Sequence, residues 1–339
     1  MLYVTTRSRN DAFTAARTMS CDQGPDGGLF VPFRLNAFTK EEILDLGKKT
    51  FGQNVADILN LFFSTKLTSW DIEVAVGRVP YGVKNLNYRI ISAELWHNSE
   101  HNFAKMIRTL ARIIHPDGDI IGAPSSWTQT AVRISVLFGL FGELMRQGQI
   151  RPDQPVDIAL PCGDFSAPMA AWYARKMGLP IGTILCGCNE KSAVWDLLHR
   201  GQIDTSIDDG DYLPDELERL ICETCGQEEA MKFRFSYSEG GYYIPTDSCR
   251  DVIRSGMFAA VVSPARLETT ISGFYRTNAY ILDFYSALAY SALSDYRARN
   301  GSSRSILMIC ERSPICSSES VCGILRMSAD ELKKRITMQ

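Results

Sequence analysis

The chain has 339 residues, 45% of them hydrophobic and 22% charged, enough to bury the core of one large domain or of two. Its net charge is -3 and its Lys and Arg are scattered, so it offers no basic face for phosphates and a nucleic-acid partner is not expected. No apolar run approaches the roughly 20 residues of a membrane span, the first ten residues lack the apolar stretch of a secretory signal, and a cytoplasmic location without membrane contact is expected.

In chain order, Tyr3-Val-Thr-Thr-Arg7 precedes Gly24-Pro-Asp-Gly-Gly-Leu-Phe-Val-Pro32, a glycine turn feeding a short strand. From Thr39, an N-cap with Glu42 three residues later, apolar spacing predicts two helices broken near Gly52. Tyr88 to Leu95 alternates as a strand and runs into Glu94-Leu-Trp-His-Asn-Ser-Glu-His-Asn-Phe-Ala-Lys105, placing that stretch at a strand-to-helix junction. Phe103 to Ile114 has helical spacing, and Asp119 to Ala123 reads as a buried strand. Pro124-Ser-Ser-Trp-Thr-Gln-Thr-Ala-Val132 is a loop leading into a helix that continues to Gln147.

Val156-Asp-Ile-Ala-Leu-Pro-Cys-Gly-Asp-Phe-Ser-Ala167, the helix behind it and the strand before Asn189 form a βαβ unit by pattern alone. Pro214 to Ile221 predicts a helix, Thr277 to Tyr296 a long helix rich in Ala, Ser and Tyr, and Ser305 to Cys310 a buried strand that ends at Glu311.

These segments, in this order, resemble the threonine synthase family. Tyr3 to Arg7 and Asp26 to Pro32 are similar to its N-terminus, and Glu94, Leu95, His97 and Phe103 match its Glu-Leu-Phe-His-Gly-Pro-Thr-Leu-Ala-Phe-Lys-Asp segment. In the family that Lys forms a Schiff base with pyridoxal phosphate; here the position falls on Ala104, and Lys105 stands at the Asp. The family's Thr-Ser-Gly-Asp-Thr-Gly-Ser-Ala-Val loop keeps Ser125, Thr128, Ala131 and Val132, with Ser126 and Gln129 at its glycines and Trp127 at its Asp. Its phosphate-holding Gly-Asn-Phe-Gly-Asn turn becomes Gly163-Asp164-Phe165-Ser166-Ala167, and the Thr that meets the pyridine nitrogen falls on Glu311.

The resemblance implies an α/β fold of the type II pyridoxal-phosphate enzymes (tryptophan synthase beta-like), two α/β domains around parallel sheets. It divides the chain into residues 1–90, an N-terminal region completing the large domain; 91–155, a small domain with the former cofactor-lysine segment; and 156–339, the large domain. The implied function is a threonine-synthase-like protein with lost or altered catalysis, in a binding, regulatory or partner role. No cofactor is expected, and a homodimer is compatible with the resemblance. The alternative is an active lyase that uses Lys105 with pyridoxal phosphate.

Read as chemistry, each candidate has two readings. Lys105 is a Schiff-base amine or, since one residue turns a helical side chain by about 100°, a surface lysine facing away from the site of its predecessor. His97 and His101 at i and i+4 are metal ligands or, as favoured, leave His97 lining a pocket; no metal site is expected. Cys222-x-x-Cys225 with Cys186-x-Cys188 is a zinc set or plain packing; packing is favoured and no structural disulfide is expected among the ten cysteines. Trp127 is a ligand platform or core. A narrowed cleft lined by His97, Trp127, Asp164 and Glu311 is expected, and its two carboxylates point to a neutral or cationic ligand.

Overall fold

Near the N-terminus, β1 (Leu2–Thr5), β2 (Phe13–Thr14) and β3 (Phe30–Pro32) make a small antiparallel sheet in the order β2-β1-β3. The computed structural model describes residues 1–115, 123–207 and 212–339; the strand expected at Asp119 to Ala123 lies almost wholly outside them. The glycine turn closes beside β1: Gly27 has φ +72°, Asp26 accepts the Gly28 N–H at 3.0 Å, and a Cβ on Gly28 would stand 2.9 Å from that of Thr5. Thr6 and Arg7 both reach Glu218, at 2.5 and 3.3 Å, so this motif ties the N-terminus to a helix two hundred residues away.

Thr39 and Glu42 form a reciprocal capping box on the helix Lys40–Leu46. The break that follows lies before Gly52, because Thr50 and Gln53 form a second box that starts Phe51–Phe63 and leaves Gly52 inside it.

The main sheet has six strands in the order β10-β7-β6-β11-β5-β4. Its members are β4 (Gly82–Leu86), β5 (Ile90–Glu94), β6 (Val156–Pro161), β7 (Ile181–Cys188), β10 (Met257–Val261) and β11 (Ile306–Cys310), while β8 (Ile203–Asp204) and β9 (Tyr242–Tyr243) pair separately. All neighbours are parallel except β4, which runs antiparallel to β5. The sheet takes strands from all three of the segments expected from the resemblance, 1–90, 91–155 and 156–339. Helices cover both faces, which is why β6 and β11 are apolar along their length and wholly buried. The exception is Asp157 in β6, whose carboxylate accepts the Thr183 N–H at 2.8 Å and sits 3.4 Å from Arg304.

On one face Ser166–Lys176 packs on β6 and β7, and over it lie Ser126–Arg146, buried through Trp127, Phe138, Phe141 and most of its length, and Phe51–Phe63. Burying each such large side chain contributes about 1.5–3 kcal/mol. Against the other lies Phe284–Asn300. The helix expected over Thr277 to Tyr296 is two: Pro264–Asn278 ends at Ala279 with φ +52°, and Asp283 caps Phe284–Asn300 by accepting the Tyr285 and Ser286 N–H groups. No helix of the described residues is long and apolar enough to cross a membrane.

A second correction concerns the cysteines. The helices Glu216–Cys225 and Asp247–Gly256 bring Cys225 and Cys249 to a Cα separation of 5.3 Å, and the two are joined in a disulfide. Cys225 is therefore withdrawn from any zinc set, and Cys186, Cys188 and Cys222 are buried thiols. Among the described residues no three His, Cys, Asp or Glu converge as metal ligands.

Candidate functional site

A cleft of about 670 Å³ opens at the carboxyl ends of the parallel strands, where crevices of open α/β sheets lie. The turn after β6 supplies Cys162, Gly163 and Asp164; Asn189 follows β7, and Glu311 and Arg312 follow β11. The opposite wall is Asn102, Ala104 and Arg108 from the start of Phe103–Ile114, with Gln129 and Arg133 from Ser126–Arg146.

Two loops are zipped together to make this floor. Phe103 N–H donates to Glu311 O at 2.7 Å and Ser313 N–H to His101 O at 2.9 Å, with His101 in the left-handed region at φ +51°. Asn102 then caps the helix by accepting the Ala104 N–H at 3.0 Å. That start fixes the helical phase: Ala104 faces the cleft, while the Lys105 ammonium lies 3.2 Å from Glu100, 37% exposed and outside the lining. Among the described residues no lysine lines the cleft.

The second family loop is a cap as well. Ser125 accepts the Thr128 N–H at 3.2 Å and is 2.8 Å from its hydroxyl, both are buried, and neither lines the cleft. Trp127 is fully buried against Tyr3, Phe62 and Tyr173, ring centroids 5.4 to 5.6 Å away. It is core; the expected pocket wall fails because the helix turns this position towards the N-terminal sheet. Gln129 does line the cleft and donates to Pro124 O at 2.8 Å.

In the glycine turn, Gly163 (φ +46°) and Phe165 (φ +65°) are left-handed, and a Cβ on Gly163 would meet open space. Phe165 is buried and gives no side-chain cap to Ser166–Lys176. Asp164 does that work: its Oδ1 accepts the Ser166 N–H at 3.0 Å and the Ser166 hydroxyl at 2.6 Å. A carboxylate of the chain thus lies at the helix N-terminus, where backbone donors and dipole favour an anion. Beside it, Cys162 is kept protonated, since its hydrogen bond with Cys188 and its burial both push the thiol well above its ordinary range.

His97 is outside the cleft, a second correction to the expected lining. Its ring stacks on Trp96, and Nε2 lies 2.8 Å from Glu94, which also accepts from Tyr280 at 2.7 Å. Burial opposes the charge on Glu94, but the hydrogen bonds from His97 and Tyr280 prevail and hold its carboxyl below the ordinary glutamate value.

Glu311 is where the sequence places it, but it is not a free acid. Arg133 forms a direct ion pair with it, both side chains under 20% exposed, and rests 5.2 Å from the Phe103 ring. Arg312 lies 4.8 Å over the ring of Tyr285. The lining therefore carries Arg108, Arg133 and Arg312 against Asp164 and Glu311, and the expected preference for a cationic ligand loses its premise. Sequence reasoning passed over these arginines, although Arg133 inside the apolar run Ala131-Val-Arg-Ile134 signals a buried partner.

Comparison with known proteins agrees with this frame. The family described as Threonine synthase N terminus matches residues 2–79. Threonine synthase-like 1 of Homo sapiens is 27% identical over 187 residues, covering 51% of this chain and 25% of that protein. The Mus musculus protein of the same name is 32% identical over 89 residues, 26% of this chain and 12% of its own length. The match thus spans a quarter of the human relative and 12% of the mouse one. Among solved structures, threonine synthase from Brucella melitensis with PLP bound superposes with a TM-score of 0.82 at 16% identity, covering 96% of this chain and 91% of that one. Yeast threonine synthase gives 0.80 at 16% identity, over 99% and 94%.

Proposed function

We propose that this chain, threonine-synthase-like in its N-terminal segment and fold, acts as a binding, regulatory or partner protein whose cleft holds a small molecule without an imine to pyridoxal phosphate. The observation that carries the reading is the phase of Phe103–Ile114, which puts a methyl group in the cleft at Ala104 and the neighbouring amine on Glu100. An imine needs an amine within reach of the aldehyde, and among the described residues none lines this site.

The phosphate end fits no better. The Ser166 N–H is already spent on Asp164, and an added phosphate charge about 4 Å from that carboxylate is opposed by roughly 4 kcal/mol at a surface-like dielectric. At the ring end Glu311 is bound to Arg133, leaving no hydroxyl of a Thr for a pyridine nitrogen. The residues present do not fit the cofactor, so no chemical step is assigned to it.

The rival reading, an active lyase using Lys105, draws on the likeness to a threonine synthase with PLP bound. It requires Lys105 to leave Glu100 and turn by about 100° around the helix axis. Titrating the purified chain with pyridoxal phosphate distinguishes the two. The binding reading expects only the spectrum of free aldehyde; a saturable imine band supports the rival.

A further inference from the structure

We propose that the cleft takes a small carboxylate anion, held by the Arg312 guanidinium where it lies on Tyr285; the inference rests on the binding reading above and names its ligand class. The acids of the lining are already engaged. Glu311 is paired with Arg133, and Asp164 is turned onto Ser166 at the start of an eleven-residue helix. Arg108 is satisfied in turn by Glu100.

Arg312 is the exception. Among the described residues it has no carboxylate within ion-pair distance, and its guanidinium is positioned by the Tyr285 ring at 4.8 Å. Asp283 is the acid whose charge it feels, but that carboxylate is buried and accepts the Tyr285 and Ser286 N–H groups. Arg133, another residue of the lining, is held on Glu311 and the Phe103 ring, which leaves Arg312 as the guanidinium without a carboxylate among the described residues of the cleft. The backbone on both sides of Arg312 is fixed by the zipper to residues 101–103, so the site is held in place before a ligand arrives.

A planar guanidinium fork suits a planar carboxylate, which it can bind through two parallel hydrogen bonds. A phosphate would also want the backbone donors at the helix start, where the Asp164 carboxylate already holds the Ser166 N–H and opposes a second anion. An amine is repelled by the excess of arginine.

Calorimetric titration of the full chain at low ionic strength with malonate, inorganic phosphate and putrescine tests this. Malonate should bind, more tightly than phosphate, with putrescine giving no heat. Arg312→Gln should weaken malonate at least about tenfold, the usual size for a lost charged hydrogen bond. Should that variant not fold, Arg312→Lys keeps the charge without the fork and should still bind more weakly than the parent. No heat with malonate, tighter binding of phosphate or putrescine, or an unchanged affinity in the folded variant overturns the assignment. An imine with pyridoxal phosphate on the same preparation would overturn the binding reading instead, so the two failures are separable.

Discussion

Asp164 turns its carboxylate back onto Ser166, taking both its N–H and its hydroxyl, so the chain carries its own anion at the head of Ser166–Lys176. One side chain thereby does two things: it caps a helix whose N-cap residue, Phe165, cannot, and it sets a negative charge at a helix start, where backbone donors favour an anion. Asp164→Ala should lower stability by about 1 kcal/mol, the typical value of a lost cap, and raise affinity for inorganic phosphate. Denaturant midpoints and phosphate titration check both halves; a variant as stable as the parent, with no gain in phosphate binding, contradicts the assignment.

Ala104→Lys alone should not produce phosphohomoserine conversion. Placing the amine in the cleft leaves Asp164 against the phosphate, Gln129 at a former glycine, and Glu311 tied to Arg133. Phosphate release from phosphohomoserine is the readout, and turnover well above the parent would contradict the expectation that several positions of the cleft stand in the way.

Glu94 gives a pH prediction. Its folded value is depressed, so its contribution to stability is complete above the unfolded value of 4.5 and fades as pH falls through the lower folded value. Glu94→Gln should cost about 1–3 kcal/mol near neutral pH, because the charged acceptor of the His97 and Tyr280 hydrogen bonds is gone. The difference from the parent should shrink on acidification below 4.5, as the parent's own carboxyl protonates. Melting curves across that range decide it; a difference independent of pH means that the charge is not what Glu94 contributes.

Trp127 stands at the family's Asp position but packs among Tyr3, Phe62 and Tyr173. Trp127→Phe should therefore cost stability through lost packing, while Trp127→Ala should cost about 3–5 kcal/mol. Trp127→Phe, which keeps an aromatic ring there, should leave malonate affinity within about twofold; affinity falling by an order of magnitude would restore Trp127 to the pocket wall.

The sequence was most informative where local chemistry fixes geometry. The glycine turn at Gly27, the Thr39 and Glu42 capping box and the βαβ unit around Gly163 are read from adjacent residues, and they stand where expected. The misses are of two kinds. Helical phase puts Ala104 in the cleft and Lys105 outside it, as the spacing predicts, but it also takes Trp127 out of the cleft, and that phase is set by the Ser125 cap rather than by Trp127 itself. Long-range pairing decides the rest: Arg133 and Glu311 are 178 residues apart, and Cys225 finds Cys249 across 24 because two helices pack, a relation that spacing alone does not contain.

Among the described residues the cleft presents no amine to an aldehyde. Borohydride reduction of the chain after incubation with pyridoxal phosphate, followed by intact mass and peptide mapping, tests it most directly. No pyridoxyl adduct is expected on any cleft residue, and at most scattered substoichiometric labelling of exposed lysines. A single stoichiometric adduct mapped to Lys105 would contradict it.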